Sequence, residues 1–232
     1  MSGILVIDVG TSSVRSAVVR DDGTIATVHQ RPALPDSPVP GLVEFDAEAL
    51  AATALECARA ALAGAGGPVD AVGIANQRGS TVVWDRATGT PVAPGLGWQD
   101  LRTIGACFLL KEHGYRMPPN LSATKVAHLL DEHDPSRVHD LVVGTVDTWI
   151  AWNLSGGALH VTDLTNAHMT AMLDANGDTW DDRLLELLRV EHRQLPRIVD
   201  SSGVVGEATA LPGAPPIAGI AGDQQAALLG QG

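Results

Sequence analysis

The sequence predicts an α/β domain built on a mixed sheet flanked by helices, and three observations carry that expectation. Residues 4–30 hold three β-branched-rich segments separated by tight turns, the pattern of consecutive antiparallel strands. After them, short apolar runs alternate with helix-period stretches as far as residue 231, as strands joined by crossover helices do. Hydrophobic residues make up 45% of the 232, against 18% charged and 3% aromatic, so a sizeable core must be built from Ala, Val, Leu and Ile. That length suits one large domain or two small ones.

The totals also exclude some functions. A net charge of −12 disfavours nucleic acid, which needs clustered Lys and Arg. It leaves an anionic small molecule open, because a divalent cation reverses a local field. Cys57 and Cys107 lie far apart with no metal spacing and read as buried free thiols. Residues 1–3 carry no basic leader, and the apolar run 4–9 is too short to span a membrane. A soluble, cytoplasmic protein without a membrane partner is expected.

Taken in order, residues 4–19 (ILVIDVGTSSVRSAVV) form a hairpin and 25–30 its third strand, after the turn Asp21-Asp22-Gly23-Thr24. Four prolines make 32–41 an extended loop. Asp46 caps a helix over 47–63 that Gly64, Gly66 and Gly67 close. Strands follow at 69–75 and 81–84. Helices follow from Trp98-Gln99-Asp100 to about 113, and from Ser122. Residues 141–143 read as a strand, 145–154 as a helix, 160–172 as irregular and 178–188 as a helix. A last strand at 217–221 leads into a helix opened by Gly222-Asp223-Gln224-Gln225.

Polar residues at strand ends gather at the carboxyl edge of such sheets, where ligands bind. Asp8, Asn76-Gln77-Arg78, Trp98 and Asp223 hold such positions. The first hairpin offers the amides and hydroxyls of Gly10, Thr11, Ser12 and Ser13, the Arg15 guanidinium and the Asp8 carboxylate. That set suits an oligophosphate with its cation, and equally an ordinary turn. Asp223 is either a helix cap or a general base for a hydroxyl attacking phosphorus. Arg78 is either a surface ion pair or a donor to vicinal hydroxyls, and Trp98 either core or the apolar wall beneath a polyol.

Seven segments in order sharpen these alternatives: IDVGTSSVRSAVV, PGLVEFD, VGIANQR, VVWDRATGTP, GTVDTWIAW, HVTDLTNA and PIAGIAGDQQAALLGQ. Across them the chain resembles the N-terminal domain of the FGGY carbohydrate kinases, and within that family it is most similar to the glycerol kinases. The resemblance implies the actin/hexokinase/RNase H-like fold, Mg²⁺ and ATP as cofactors, and phosphoryl transfer to a polyol or sugar hydroxyl. It implies that Asp223 is the catalytic base and that Asp8 serves the metal. Thr11, Ser12, Ser13 and Arg15 then meet the ATP phosphates, while Arg78, Trp98, Gln224 and Asn120 belong to the substrate side.

The substrate side departs from the pattern. Gly79 stands where a Glu follows the matching Arg in glycerol kinases, and Asn120 where an aromatic contacts glycerol. The loss of an acceptor disfavours glycerol, whereas the room at Gly79 suits a longer substrate. The family also carries a second, nucleotide-holding domain, which is expected to lie outside these 232 residues. Residues 1–232 are therefore expected to be nearly inactive alone, with a closing face at Ala226, Ala227, Leu228 and Leu229 that invites a homo-oligomer. A non-catalytic sugar-binding or regulatory domain derived from such a kinase is the alternative.

Overall fold

The computed structural model describes residues 3–231, so the part of the N-terminal reading that rests on Met1 and Ser2 lies outside the described residues. Strands β1 (Gly3–Val9), β2 (Ser13–Arg20) and β3 (Ile25–Pro32) form the expected antiparallel meander, with Asp8 opposite Arg15. Strand pleating turns Leu5, Ile7 and Val9 into the core, while Asp8 points to the other face and keeps contact with solvent. A two-residue strand, β4 (Glu44–Phe45), precedes α1 (Ala47–Gly64). Asp46 caps α1 by accepting from the Ala49 amide at 2.9 Å, and the stripe Leu50, Ala54, Cys57, Ala58 and Ala61 packs into the main core.

The chain continues through β5 (Ala71–Asn76), β6 (Thr81–Asp85), β7 (Gly95–Leu96), α2 (Ile104–Glu112) and α3 (Ala123–His133). Then come β8 (Leu141–Thr145), α4 (Val146–Leu154), β9 (Val161–Asp163), α5 (Leu164–Ala167) and α6 (Asp182–Leu188). Strands β10 (Arg197–Val199), β11 (Ser202–Glu207) and β12 (Pro216–Gly222) lead to α7 (Asp223–Gln231). The main sheet has the order β11-β12-β5-β1-β2-β3, a smaller one the order β4-β7-β6-β8, and β9 pairs with β10. In the main sheet β5 runs parallel to both β1 and β12. Their carboxyl ends therefore lie side by side, with Asn76 opposite Val9 on one flank and Gly222 on the other.

Three expectations change. The helix expected from Trp98 starts only at Ile104, because the Asp100 carboxylate accepts from the Val43 and Arg102 amides and holds a turn there. The stretch 160–172 is ordered into β9, α5 and a 3-10 turn rather than irregular, and α6 starts at Asp182, capped by Asp181. Four short strands, β4, β7, β10 and β11, carry too little alternation to be read from sequence. Both cysteines are buried and free, as expected. Among the described residues no helix is long and apolar enough to cross a membrane.

Candidate active site

The carboxyl edge of β1, β5 and β12 brings together Asp8, Arg78 and Asp223, which are far apart in sequence. Asp223 follows β12 directly and opens α7, which leaves its side chain 46% exposed. Arg78 lies just past β5, with Nε 3.8 Å from Asp223 Oδ1, and its Nη2 donates to Gln224 Oε1 at 2.5 Å. A Cβ on Gly222 would stand 2.1 Å from Arg78 Cδ, so only glycine lets that side chain cross the end of β12. Burial pushes the Asp8 carboxyl above its usual pKa, Arg15 opposes this, and the charge of Asp223 pushes it up again. Two carboxylates and two guanidiniums thus share one field.

The hairpin between β1 and β2 is closed by the Gly10 amide donating to Ser13 O at 3.0 Å. Ser12 is exposed. Ser13 Oγ accepts from Gln30 Nε2 at 3.0 Å, Arg15 Nε donates to Gln30 Oε1 at 3.3 Å, and Arg15 Nη1 stands 3.9 Å from Asp8 Oδ2. Ser12 and Ser13 therefore lie at the turn, and Arg15 lies inside β2 beside Asp8.

Thr11 faces the other way, toward Trp98. Trp98 is 36% exposed and so is not core, and its Nε1 donates to Thr11 Oγ1 at 3.1 Å. Its amide donates to Ser80 Oγ at 3.0 Å, and its carbonyl accepts from Lys125 Nζ at 3.4 Å. Ser80 Oγ donates in turn to Gln77 Oε1 at 3.1 Å, and Gln77 Nε2 donates to Gly10 O at 3.2 Å. A closed ring of hydrogen bonds therefore joins the hairpin tip to the Trp98 wall. The loop that carries Trp98 is pinned from behind by Arg102, which donates to Glu44 Oε1 at 2.6 Å and to Asp100 Oδ2 at 2.9 Å. Burial would raise the Asp100 pKa, but the bonds from Arg102 and the Val43 amide outweigh it and hold the carboxyl below its usual range. Lys125 is wholly buried, and the loss of water brings its ammonium down to about 8 against the opposing pull of Asp100.

Gly79 does not open the room expected of it. It has φ +78°, and a Cβ there would lie 2.6 Å from the carbonyl oxygen of Asn120 and 3.5 Å from Trp98 Cβ. Backbone of the 119–122 turn fills the space, and Ser122 Oγ donates to Gly79 O at 3.1 Å. Asn120 thus borders the Trp98 wall with its main chain. Sequence reasoning singled out every residue on the edge but assigned no role to Gln77, Ser80 or Lys125. Their spacing within NQRGS and SATK carries no chemistry until the fold closes the ring.

The edge thus carries a Gly-Thr-Ser-Ser hairpin after one strand and a carboxylate at a helix start after another. Residues 3–230 match the N-terminal domain of the FGGY family of carbohydrate kinases, and the chain belongs to that family. It is 45% identical over 251 residues to the glycerol kinase of Aromatoleum aromaticum and 44% identical over 250 to that of Trichlorobacter lovleyi. Each match takes in 100% of this chain and 50% of the relative, so the chain spans about half the length of the curated relatives it matches. Among solved structures, Plasmodium falciparum glycerol kinase with ADP superposes with a TM-score of 0.91 at 25% identity, over 100% of this chain and 50% of that one. The xylulose kinase of Rhodospirillum rubrum shares the fold, with a TM-score of 0.89 at 22% identity over 99% and 51%. The fold is accordingly the actin/hexokinase-like one.

Proposed function

We propose that this chain is the N-terminal, acceptor-side half of an ATP-dependent kinase that phosphorylates a hydroxyl of a polyol or sugar, glycerol being the first candidate. The observation that carries the proposal is the meeting of Asp8, Arg78 and Asp223 at one sheet edge beside the 10–15 hairpin. In the reaction Asp223 takes the proton of the acceptor hydroxyl as its oxygen bonds to the γ-phosphorus. The bond from that phosphorus to the bridging oxygen breaks, and ADP leaves. Arg78 and Gln224 hold the acceptor's hydroxyls, Trp98 backs its carbon face, and Asn120 borders that wall.

Ser12, Ser13 and Arg15 face the nucleotide phosphates, while Thr11 joins that hairpin to Trp98. Asp8, whose carboxyl is raised mainly by burial and less by the charge of Asp223, fits a divalent cation that takes one or two carboxylates and keeps several waters. Mg²⁺ held there would neutralise negative charge on the phosphates. The proposal extends to a second, nucleotide-holding half, to a cytoplasmic location, and to self-association through Leu228 and Leu229, which are 73% and 86% exposed.

The test joins this chain to the C-terminal half of the Aromatoleum aromaticum glycerol kinase and measures ADP release with glycerol, erythritol, ribitol and xylulose. At least one acceptor is expected to stimulate release well above the rate with water. Stimulation by none would contradict the proposal, and calorimetric binding without release would favour a sugar-binding domain instead.

A further inference from the structure

The turn from Asp163 to Asn166, part of the HVTDLTNA segment, lies behind the edge and has no role in the account above. Asp163 and Asn166 are wholly buried. Thr165 Oγ1 donates to Asp163 Oδ2 at 2.8 Å, which leaves its lone pairs free to accept from the Gly222 amide at 2.7 Å. Gly222 is itself buried, so its N–H has no water to turn to. Ser201 Oγ also donates to Asp163 Oδ2, at 2.6 Å, and Ser201 O accepts from the Ile220 amide at 3.0 Å, which ties β12 to the same carboxylate. On the other side, Asn166 and Asn76 exchange side-chain amide hydrogen bonds of 2.8 and 3.2 Å. Asn76 is two residues before Arg78, and Gly222 one before Asp223.

We infer that Asp163, Thr165 and Asn166 are positioning residues that set the spacing of Arg78 and Asp223 by holding the ends of β5 and β12 from behind. Thr165 holds the Asp223 side, Asn166 holds the Arg78 side, and Asp163 orients both through its two oxygens. A hydroxyl suits the Thr165 position because one group must accept from Gly222 while giving its own proton to Asp163. A carboxylate could not donate, and an ammonium could not accept. The catalytic consequence rests on the kinase proposal, whereas the brace itself does not.

The experiment uses the full chain and compares wild type with Thr165→Val, Thr165→Ser and Asn166→Ala. Amide hydrogen exchange by NMR is read at Gly222, with Leu5 and Ile7 of β1 as core references. Thr165→Val is expected to speed exchange at Gly222 about tenfold, with Leu5 and Ile7 unchanged and Thr165→Ser returning it to wild type. Asn166→Ala is expected to loosen the Gln77 amide while leaving Gly222 protected. In the protein joined to the second half, calorimetry with glycerol should show acceptor affinity falling about tenfold in Thr165→Val while Mg-ATP affinity holds, a split that general destabilisation would not give. Unchanged exchange at Gly222, equal acceleration at Leu5 and Ile7, or failure of the Ser variant to restore protection would overturn the inference. If wild type binds no glycerol, the kinase proposal loses its substrate, while the exchange data still decide the brace.

Discussion

Polar groups stand both in front of the sheet edge and behind it, and the two sets are built oppositely. In front, Asp8, Arg15, Trp98 and Asp223 are partly exposed, and the ion pairs of Asp8 with Arg15 and of Asp223 with Arg78 are long, at 3.9 and 3.8 Å. Behind, Asp147, Asp163 and Asn166 have no exposure, and each accepts or donates several short hydrogen bonds. The contrast separates function from stability. Groups in front keep contact with solvent. Those behind have no water to exchange and must be satisfied within the fold. Substitutions behind the edge should cost stability first, and substitutions in front should cost binding or turnover.

The largest expected change in stability lies behind the edge, at Asp147. Burial pushes its carboxyl up to about 7, with Thr145 and Thr162 donating to it and pulling the other way and the charge of Asp163 adding to the rise. The folded state therefore binds a proton that the unfolded state has lost between about pH 4 and the folded value, so this group's contribution falls as pH rises through about 7. An Asn at 147 does not titrate. The Tm of Asp147→Asn relative to wild type should climb from about pH 4 to about pH 8, a difference worth up to roughly 4 kcal/mol. His160 gives the opposite slope. Burial takes it down to about 4, so its contribution is present above its ordinary pKa and is lost as pH falls through about 4. The comparison with the variant cancels that term. A pH-independent difference in Tm would show that Asp147 is ionised throughout.

Gly79 sits on the boundary between the two sets. Gly79→Glu places a side chain on a left-handed backbone with its Cβ against the Asn120 carbonyl, and it should cost about 2–3 kcal/mol in urea unfolding. Recovery of glycerol affinity without that cost would mean that the 119–122 turn yields easily. The smallest effect is expected in front, at Thr11. Thr11→Val breaks the ring between hairpin and wall and should weaken glycerol binding by about threefold to tenfold, with Tm nearly unchanged and Thr11→Ser close to wild type. A fall in Tm matching that of a core substitution would move Thr11 to the other side of the comparison.

The position of Asp8, Arg78 and Asp223 at the front of the edge was legible in sequence because its signals are local. An apolar strand ending in Asp8, a GTSS turn and a small-residue approach to Asp223 each state their chemistry within a few residues. The rear was not, because Thr165 reaches Gly222 across 57 positions and Asn166 reaches Asn76 across 90. Nothing in DLTN predicts those partners until the parallel strands place them. The same applies to Trp98, whose indole finds Thr11 across 87 positions, and whose loop reads as a helix start until Asp100 is seen to hold a turn. Gly79 is the opposite case, where the residue type suggested open space and the packing of Asn120 denies it.

The role proposed for Asp223, in front of the edge, is to take the acceptor's proton rather than to hold the fold. Its direct test is single-turnover phosphoryl transfer to the stimulating polyol, comparing wild type with Asp223→Asn in the joined protein. Transfer should slow by about 10²–10⁴-fold with acceptor affinity and Tm little changed. A variant that transfers at the wild-type rate, or one that loses activity only in step with its Tm, would contradict the account.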